Sequence, residues 1–408
     1  MIKKLYLLPI ASAAILVIVG FTIFGIDSFN QSEIITQKDS NQTPHDIIVE
    51  PITTHVLSED SQAKVNMVEV IPSYSESYNV SPTIENNEPS KLQGFLIQSA
   101  YAITPVQLTV TVDEWTVPTA ASQPNAITTD SSGNVWFTEP FSGANNIARL
   151  EPGSNTITEW AIPTAANGLG GIITDNGNVW FVEFGGNKIG RLVPGTNAFT
   201  EWTIPTAASA PTSISISGGG DVWFAELNGL KIGRLDPTTD IITEWTVPNG
   251  GDPLGISVDS SGDVWFTENF AHKIGKLDPG TNMITEWEIP QPGGQIRPAG
   301  VVADNGNIWF VESEADGNKV GRLVPGTNTI TEWDIPTADS KPFVVAIDGD
   351  GSVWFTEFQG EKVGRLVPGT NIITEWDLPS TGSVRGLATD GGDVWFTEGN
   401  ANKVGRMS

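Results

Sequence analysis

One histidine stands beyond residue 55 of this 408-residue chain: His272, in the stretch TENFAHKIGK. A lone imidazole can act as a general base or a metal ligand only where other groups converge on it. The chain has no cysteine, which excludes thiolate nucleophiles and Cys-ligated zinc, and with no second histidine near His272 a His-rich zinc site cannot be assembled. The carboxylates are more promising. Glu139, Glu183, Glu226, Glu268, Glu312, Glu357 and Glu398 recur in the same local setting, VWFTE or a variant, each followed a few residues later by Lys188, Lys231, Lys273, Lys319, Lys362 or Lys403, with Asn146 in the first case. Seven carboxylates at one mouth of a ring could hold a cation; six facing lysines argue instead for cross-strand pairs. Glu139, which faces Asn146, is the least neutralised and is a candidate binding residue.

The elements that position these residues come from a repeat. VWFTE centres on Trp136, Trp180, Trp223, Trp265, Trp309, Trp354 and Trp395, spaced from 41 residues (Trp354 to Trp395) to 45 (Trp309 to Trp354). A second signature, (T/D)EW, places Trp115, Trp160, Trp202, Trp245, Trp287, Trp333 and Trp376, so the two use all 14 tryptophans. Four short alternating runs per unit predict an all-β fold, a seven-bladed β-propeller of four-stranded antiparallel blades. In the unit around His272 the runs are LGISVD, DVWFTE, KIGKL and ITEWEIP, and the Pro-Gly pair of DPGTN predicts a type II turn between the last two.

The turn before a (T/D)EW strand occurs six times, not seven, and the last unit stops at NKVGRMS. The surplus strand LTVTVDEWTVP, 108 to 118, is therefore expected to complete the last blade and close the ring. His272 falls in a slot that holds Asn145, Asn187, Leu230, Asn318, Glu361 and Asn402 elsewhere, a turn position. Arg149, Arg191, Arg234, Lys276, Arg322, Arg365 and Arg406 fall opposite the VWFTE tryptophans and predict cation–π packing.

With 48 acidic against 21 basic residues the net charge is −27, which excludes nucleic acid as a partner and predicts a soluble, monomeric propeller. Lys3 and Lys4 precede an apolar run at 5–26 that is long enough to span a bilayer. The expected order is a cytoplasmic tip at 1–4, a signal-anchor at 5–26 (a cleaved signal peptide is the alternative), a disordered extracytoplasmic tether at 27–106 and the propeller at 107–408. The three N-x-[ST] sequons, at Asn30, Asn41 and Asn79, all lie in the tether, where they could carry glycans.

The repeated VWFTE, NKIGRL and ITEW segments resemble the virginiamycin B lyase (streptogramin lyase) family over residues 107–408. That resemblance implies a seven-bladed propeller and a magnesium-assisted elimination that opens a cyclic depsipeptide at its ester. It also implies a catalytic histidine in a P-H-G-I segment opening a first strand, and a metal held by carboxylates. The matching slots here read Asn125, Gly170, Thr212, Leu254, Ala299, Phe343 and Arg385, none of them histidine. The carboxylate pattern survives in one blade, as Asp252 in DPLGI and Glu268 in WFTE, the candidate metal ligands. Phe343 and Arg385 depart most from the repeat and join Glu139 as candidate binding residues. Two functions stay open: an extracytoplasmic binding module for a protein, glycan or small ligand, and a metal-dependent lyase or lactone hydrolase. The residues fix no cofactor; magnesium or calcium is what such carboxylates would take.

Overall fold

Each alternating run forms a strand because its apolar positions find a neighbour on both faces of the blade. In the computed structural model the described residues are 110–408, less 142–144, 165–167, 291–295 and 315–316, together with four two-residue strands, Thr22–Ile23, Val56–Leu57, Val65–Asn66 and Thr83–Ile84. Apart from those strands, the expectations for 5–26, for 27–106 and for the sequons lie outside the described residues. Among the described residues no helix is long and apolar enough to cross a membrane.

The unit Thr109–Ser408 holds seven four-stranded antiparallel sheets, each a blade. The fourth blade is typical: Pro253–Val258, Val264–Glu268, Lys273–Asp278 and Met283–Glu288, in sequence order across the sheet. Its second strand is buried along its whole length, whereas its outer strand alternates exposed and half-buried. That gradient reflects where the core sits. Each apolar cluster straddles two blades, as where Trp136, Ile147 and Ile162 of the first blade pack on Leu169, Ile172, Phe181 and Leu192 of the second. Burial between blades therefore holds the ring together, and no blade has a core of its own.

The ring closes as expected. Val112–Thr116 pairs with Lys403–Met407, with Trp115 opposite Val404 and Glu114 opposite Gly405, which completes the seventh blade. Side chains reinforce the ladder: Lys403 bonds Glu114 at 2.5 Å, and Arg406 bonds Asp113 at 2.6 Å.

One local expectation is overturned. The Pro-Gly turns are not type II, because the glycine of DPGTN has no positive φ; the left-handed residue is Asn282 (φ 57°), two positions later. Asn155, Asn197, Asp240, Asn328 and Asn371 repeat this geometry. The reason lies across the blade boundary. Each of these side chains accepts a hydrogen bond from the indole of the preceding blade's outer tryptophan, as in Trp245 to Asn282 at 2.7 Å and Trp160 to Asn197 at 2.6 Å.

Candidate binding site at the channel mouth

The first strands of neighbouring blades run side by side around the axis. In six blades the first strand carries a β-bulge at its start, with the register shifting between Leu169 and Ile172 in the second blade and between Val384 and Leu387 in the seventh. The slot residues Gly170, Thr212, Leu254, Ala299, Phe343 and Arg385 sit inside these bulges, where the ladder is interrupted. A bulge frees a backbone N–H. The threonine of WFTE satisfies it: Gly255 N donates to Thr267 Oγ1 at 2.9 Å, and Thr267 Oγ1 then donates to Ala299 O of the next blade at 2.7 Å. Thr397 does the same for Gly386 and reaches Asn125 O. The repeat displays these threonines, yet a hydroxyl's role as bulge cap is invisible until the register is known.

The glutamates that end the second strands do not ring the channel with charge. Each lies opposite the expected residue, Glu268 against Lys273 and Glu139 against Asn146. Yet all seven are fully buried within the blades. The lysines pair elsewhere, mostly with the outer-strand glutamates: Lys188 with Glu201 at 2.7 Å, Lys231 with Glu244 at 3.0 Å and Lys273 with Glu286 at 2.9 Å. This corrects the expected Glu–Lys cross-strand pairs, and hydration explains it. The outer-strand partner lies nearer solvent, so the ammonium need not be stripped of water to reach it. The buried glutamates are left against those same outer glutamates. Burial, then repulsion from Glu286, pushes Glu268 up to about 8; burial and Glu159 push Glu139 up to about 8; burial and Glu201 push Glu183 up to about 7. Glu139, bonded by Asn146 Nδ2 at 3.3 Å, is inside the blade and is not presented at the surface.

Asp252 and Glu268 are brought near enough for their charges to repel. Asp252 is buried and spends Oδ1 on the backbone N–H of Phe270 at 2.8 Å. Its Oδ2 is buried without a hydrogen-bond partner, and both Glu268 oxygens are buried and accept no hydrogen bond, the carboxyl facing that of Glu286. Glu183, Glu226, Glu312, Glu357 and Glu398 leave both oxygens in the same state, so the orphaned atoms mark every blade rather than one cation site. No group of three or more metal-ligating side chains converges among the described residues. Two carboxylates in one wall would supply only part of a hard dication's oxygen shell, the rest falling to water or ligand.

His272 is a turn residue, with φ 60°. Its Nδ1 contacts Ile296 O, and its own carbonyl accepts from Ile289 N. The tryptophan and basic residues pack as anticipated: the Arg191 guanidinium sits 5.3 Å from the ring of Trp180 and 5.4 Å from that of Trp202.

The candidate surface lies at the end of the ring where the first strands begin. Contacts run continuously along an arc there. The Arg297 guanidinium lies 4.2 Å over the ring of Phe270; Glu314 receives Arg297 and Lys341, each at 3.4 Å; Phe358 N bonds Lys341 O at 3.1 Å; and Arg385 lies 5.7 Å from Phe358 and 5.4 Å from Phe141. Phe141, Phe184, Phe270 and Phe343 are all exposed, so this mouth gathers aromatic faces that no blade covers. Two hollows, of about 440 and 480 Å3, involve neither Arg385 nor Phe343. Of the sequence candidates, Phe343 and Arg385 belong to this mouth, Asp252 touches its backbone, and Glu139 and Glu268 are sealed within blades. Phe184, Phe270 and Arg297 lie in the loops between second and third strands and between blades, whose lengths differ, so no repeat position singles them out.

Residues 242–408 match the model of the virginiamycin B lyase family. The crystal structure of selenomethionine-substituted virginiamycin B lyase from Staphylococcus aureus is 34% identical over 73% of this chain and 99% of that one, with a TM-score of 0.67. A streptogramin B lyase structure is also 34% identical, over 73% of this chain and 97% of that one, again with a TM-score of 0.67. A catalytically inactive histidine-to-alanine variant of the Staphylococcus aureus enzyme, solved with quinupristin, is 33% identical with the same TM-score. The extracellular domain of a putative hybrid two component system from B. thetaiotaomicron shares the fold alone, at 11% identity and a TM-score of 0.58. No curated protein matches the sequence.

Proposed function

The chain belongs to the virginiamycin B lyase family, and from that premise we propose that it is a membrane-tethered, extracytoplasmic propeller that binds a ligand at its channel mouth without cleaving it. One observation carries this reading: in the blade that keeps Asp252 and Glu268, the slot where the resemblance would put a catalytic histidine is Leu254, and the one imidazole among the described residues, His272, sits in a left-handed turn with Nδ1 on Ile296 O. A lyase of this kind needs a base within hydrogen-bond reach of the proton it removes. Leucine cannot take a proton. The related enzyme named above is inactive when one histidine becomes alanine, which supports the same conclusion for a chain with none in the slot. The tether rests on Lys3, Lys4 and the apolar run at 5–26.

Quinupristin is the direct probe. Incubated with the purified full chain and magnesium, it should remain ring-closed while titration calorimetry detects binding; magnesium-dependent opening would overturn the non-catalytic reading. A second reading, a metal-dependent lyase or lactone hydrolase, is favoured only by the partnerless Asp252 Oδ2. It requires turnover that disappears in Asp252→Asn.

A further inference from the structure

Six of the seven slots at the start of the first strands carry an uncharged residue, and the seventh carries Arg385. Its surroundings are built for it. The neighbouring second strand is followed by Gly399, and a side chain there would place Cβ 2.4 Å from Arg385 Nε, so the absent side chain is what admits the guanidinium. Phe141 from the first blade and Phe358 from the sixth lie within 5.4 and 5.7 Å of it. Gln123 Oε1 accepts from Nη2 at 3.1 Å. Among the described residues no carboxylate pairs with Arg385, whereas Arg297 and Lys341 on the same mouth share Glu314. The buried, unsatisfied Nε–H of Arg385 is common to every described arginine and does not set it apart. Arg191 and Arg322 lack a carboxylate too, but each lies against two indoles of its own blade. Arg385 instead stands at the mouth, beside exposed phenylalanine.

A half-buried guanidinium without a counter-ion costs free energy that an arriving anion recovers, and its planar fork matches a carboxylate. The acidic remainder of the molecule repels polyanions, so a single carboxylate is the anion that fits. The phenylalanines supply a surface for an apolar body attached to it. We propose that Arg385, held over Gly399 between Phe141 and Phe358, is the carboxylate-binding point of the mouth and that the ligand carries one carboxylate on an aromatic body. The proposal rests on the reading of the mouth as a binding site.

The test uses the full chain and two probes that differ only in charge, N-acetyl-phenylalanine and N-acetyl-phenylalaninamide, followed by calorimetry. The acid should bind at least tenfold more tightly than the amide. Arg385→Gln should remove that preference, and Gly399→Ala, which displaces the guanidinium without removing it, should weaken the acid several-fold. Unchanged thermal unfolding of Gly399→Ala keeps the test valid if Arg385→Gln folds poorly. Equal affinity for acid and amide, undiminished binding in both variants, or inorganic phosphate binding as tightly as the acid would each overturn the proposal. Quinupristin separates this from the broader reading: if it binds while the acid does not, the carboxylate point is wrong and the binding mouth stands. If neither binds, both fail.

Discussion

Seven residues share the left-handed turn before each third strand: Asn145, Asn187, Leu230, His272, Asn318, Glu361 and Asn402, with φ between 45° and 60°. Asparagine does more there than tolerate the geometry. Asn187 donates to Ile204 O and Thr206 O and accepts from Ser209 N and Oγ, which fixes the exit of its outer strand against the start of the next blade; Asn318 and Asn402 make equivalent sets. The sequence reading identified the turn from the alternation of residue types but not this clamp, since partners some 20 residues away in a loop leave no periodic trace. His272→Asn should therefore leave stability within about 0.5 kcal/mol of the parent and leave ligand binding unchanged. Leu230→Asn should raise stability by about 1 kcal/mol, because a branched side chain in a left-handed conformation carries a steric cost that asparagine largely avoids. Chemical denaturation of the two variants distinguishes this from an active histidine: loss of binding in His272→Asn at unchanged stability would refute the turn assignment.

At the scale of strands, the fold was legible because each strand repeats a fixed pattern of tryptophan, threonine and glutamate, and counting those patterns exposed the surplus strand. What remained hidden were features set by neighbours across a blade boundary: the bulges, the indole-to-asparagine bonds that relocate the positive φ from glycine to asparagine, and the partner choice of the lysines. The closing strand shows how strongly one element can couple to the whole. Val112–Thr116 contributes Trp115, whose ring centroid lies 5.5 Å from that of Trp395, and Glu114, which also accepts from Ser380 N and Oγ at 3.2 and 2.9 Å. Without it the third strand of the seventh blade becomes an open edge. Deletion of residues 107–118 should lower the thermal midpoint of the propeller steeply and favour aggregation. Deletion of 1–100 should leave the midpoint within a few degrees. Calorimetric scans of the two truncations decide it, and equal midpoints would sink the closure scheme.

For the whole molecule the decisive quantity is the proton inventory of the seven blades. The formal charge of −27 counts every glutamate as ionised, yet burial, with repulsion from the outer-strand glutamate next, pushes Glu139, Glu268, Glu312, Glu357 and Glu398 up to about 8 and Glu183 and Glu226 up to about 7. Those held near 8 are therefore largely protonated at neutrality and the two held near 7 about half so, each facing the carboxyl of its outer-strand glutamate. In the unfolded chain these groups return to an ordinary value near 4.5. Between that value and about 8 the folded state holds more protons than the unfolded one, so this stability is fully present below 4.5, falls progressively above it and is gone once pH has risen through 7 to 8. Three outer partners shift the other way: against the opposing effect of burial, bonds from Lys188 and Thr164 hold Glu201 below its ordinary value, and Glu114 and Glu244 behave alike, whereas Glu332 is raised by burial. Their contribution disappears as pH falls below 4.5. The stability optimum should thus lie at about pH 5, with a thermal midpoint clearly lower at pH 9 than at pH 5.5. Surface repulsion in an acidic protein would give the same sign, but salt screens it, whereas buried pairs are screened far less. The decline should consequently persist in 0.5 M sodium chloride and become shallower in Glu183→Gln and Glu357→Gln, which keep a donor without an ionisable group. A midpoint that is flat or rising from pH 5.5 to 9 in high salt would mean that the seven carboxyls do not hold their protons in the folded ring.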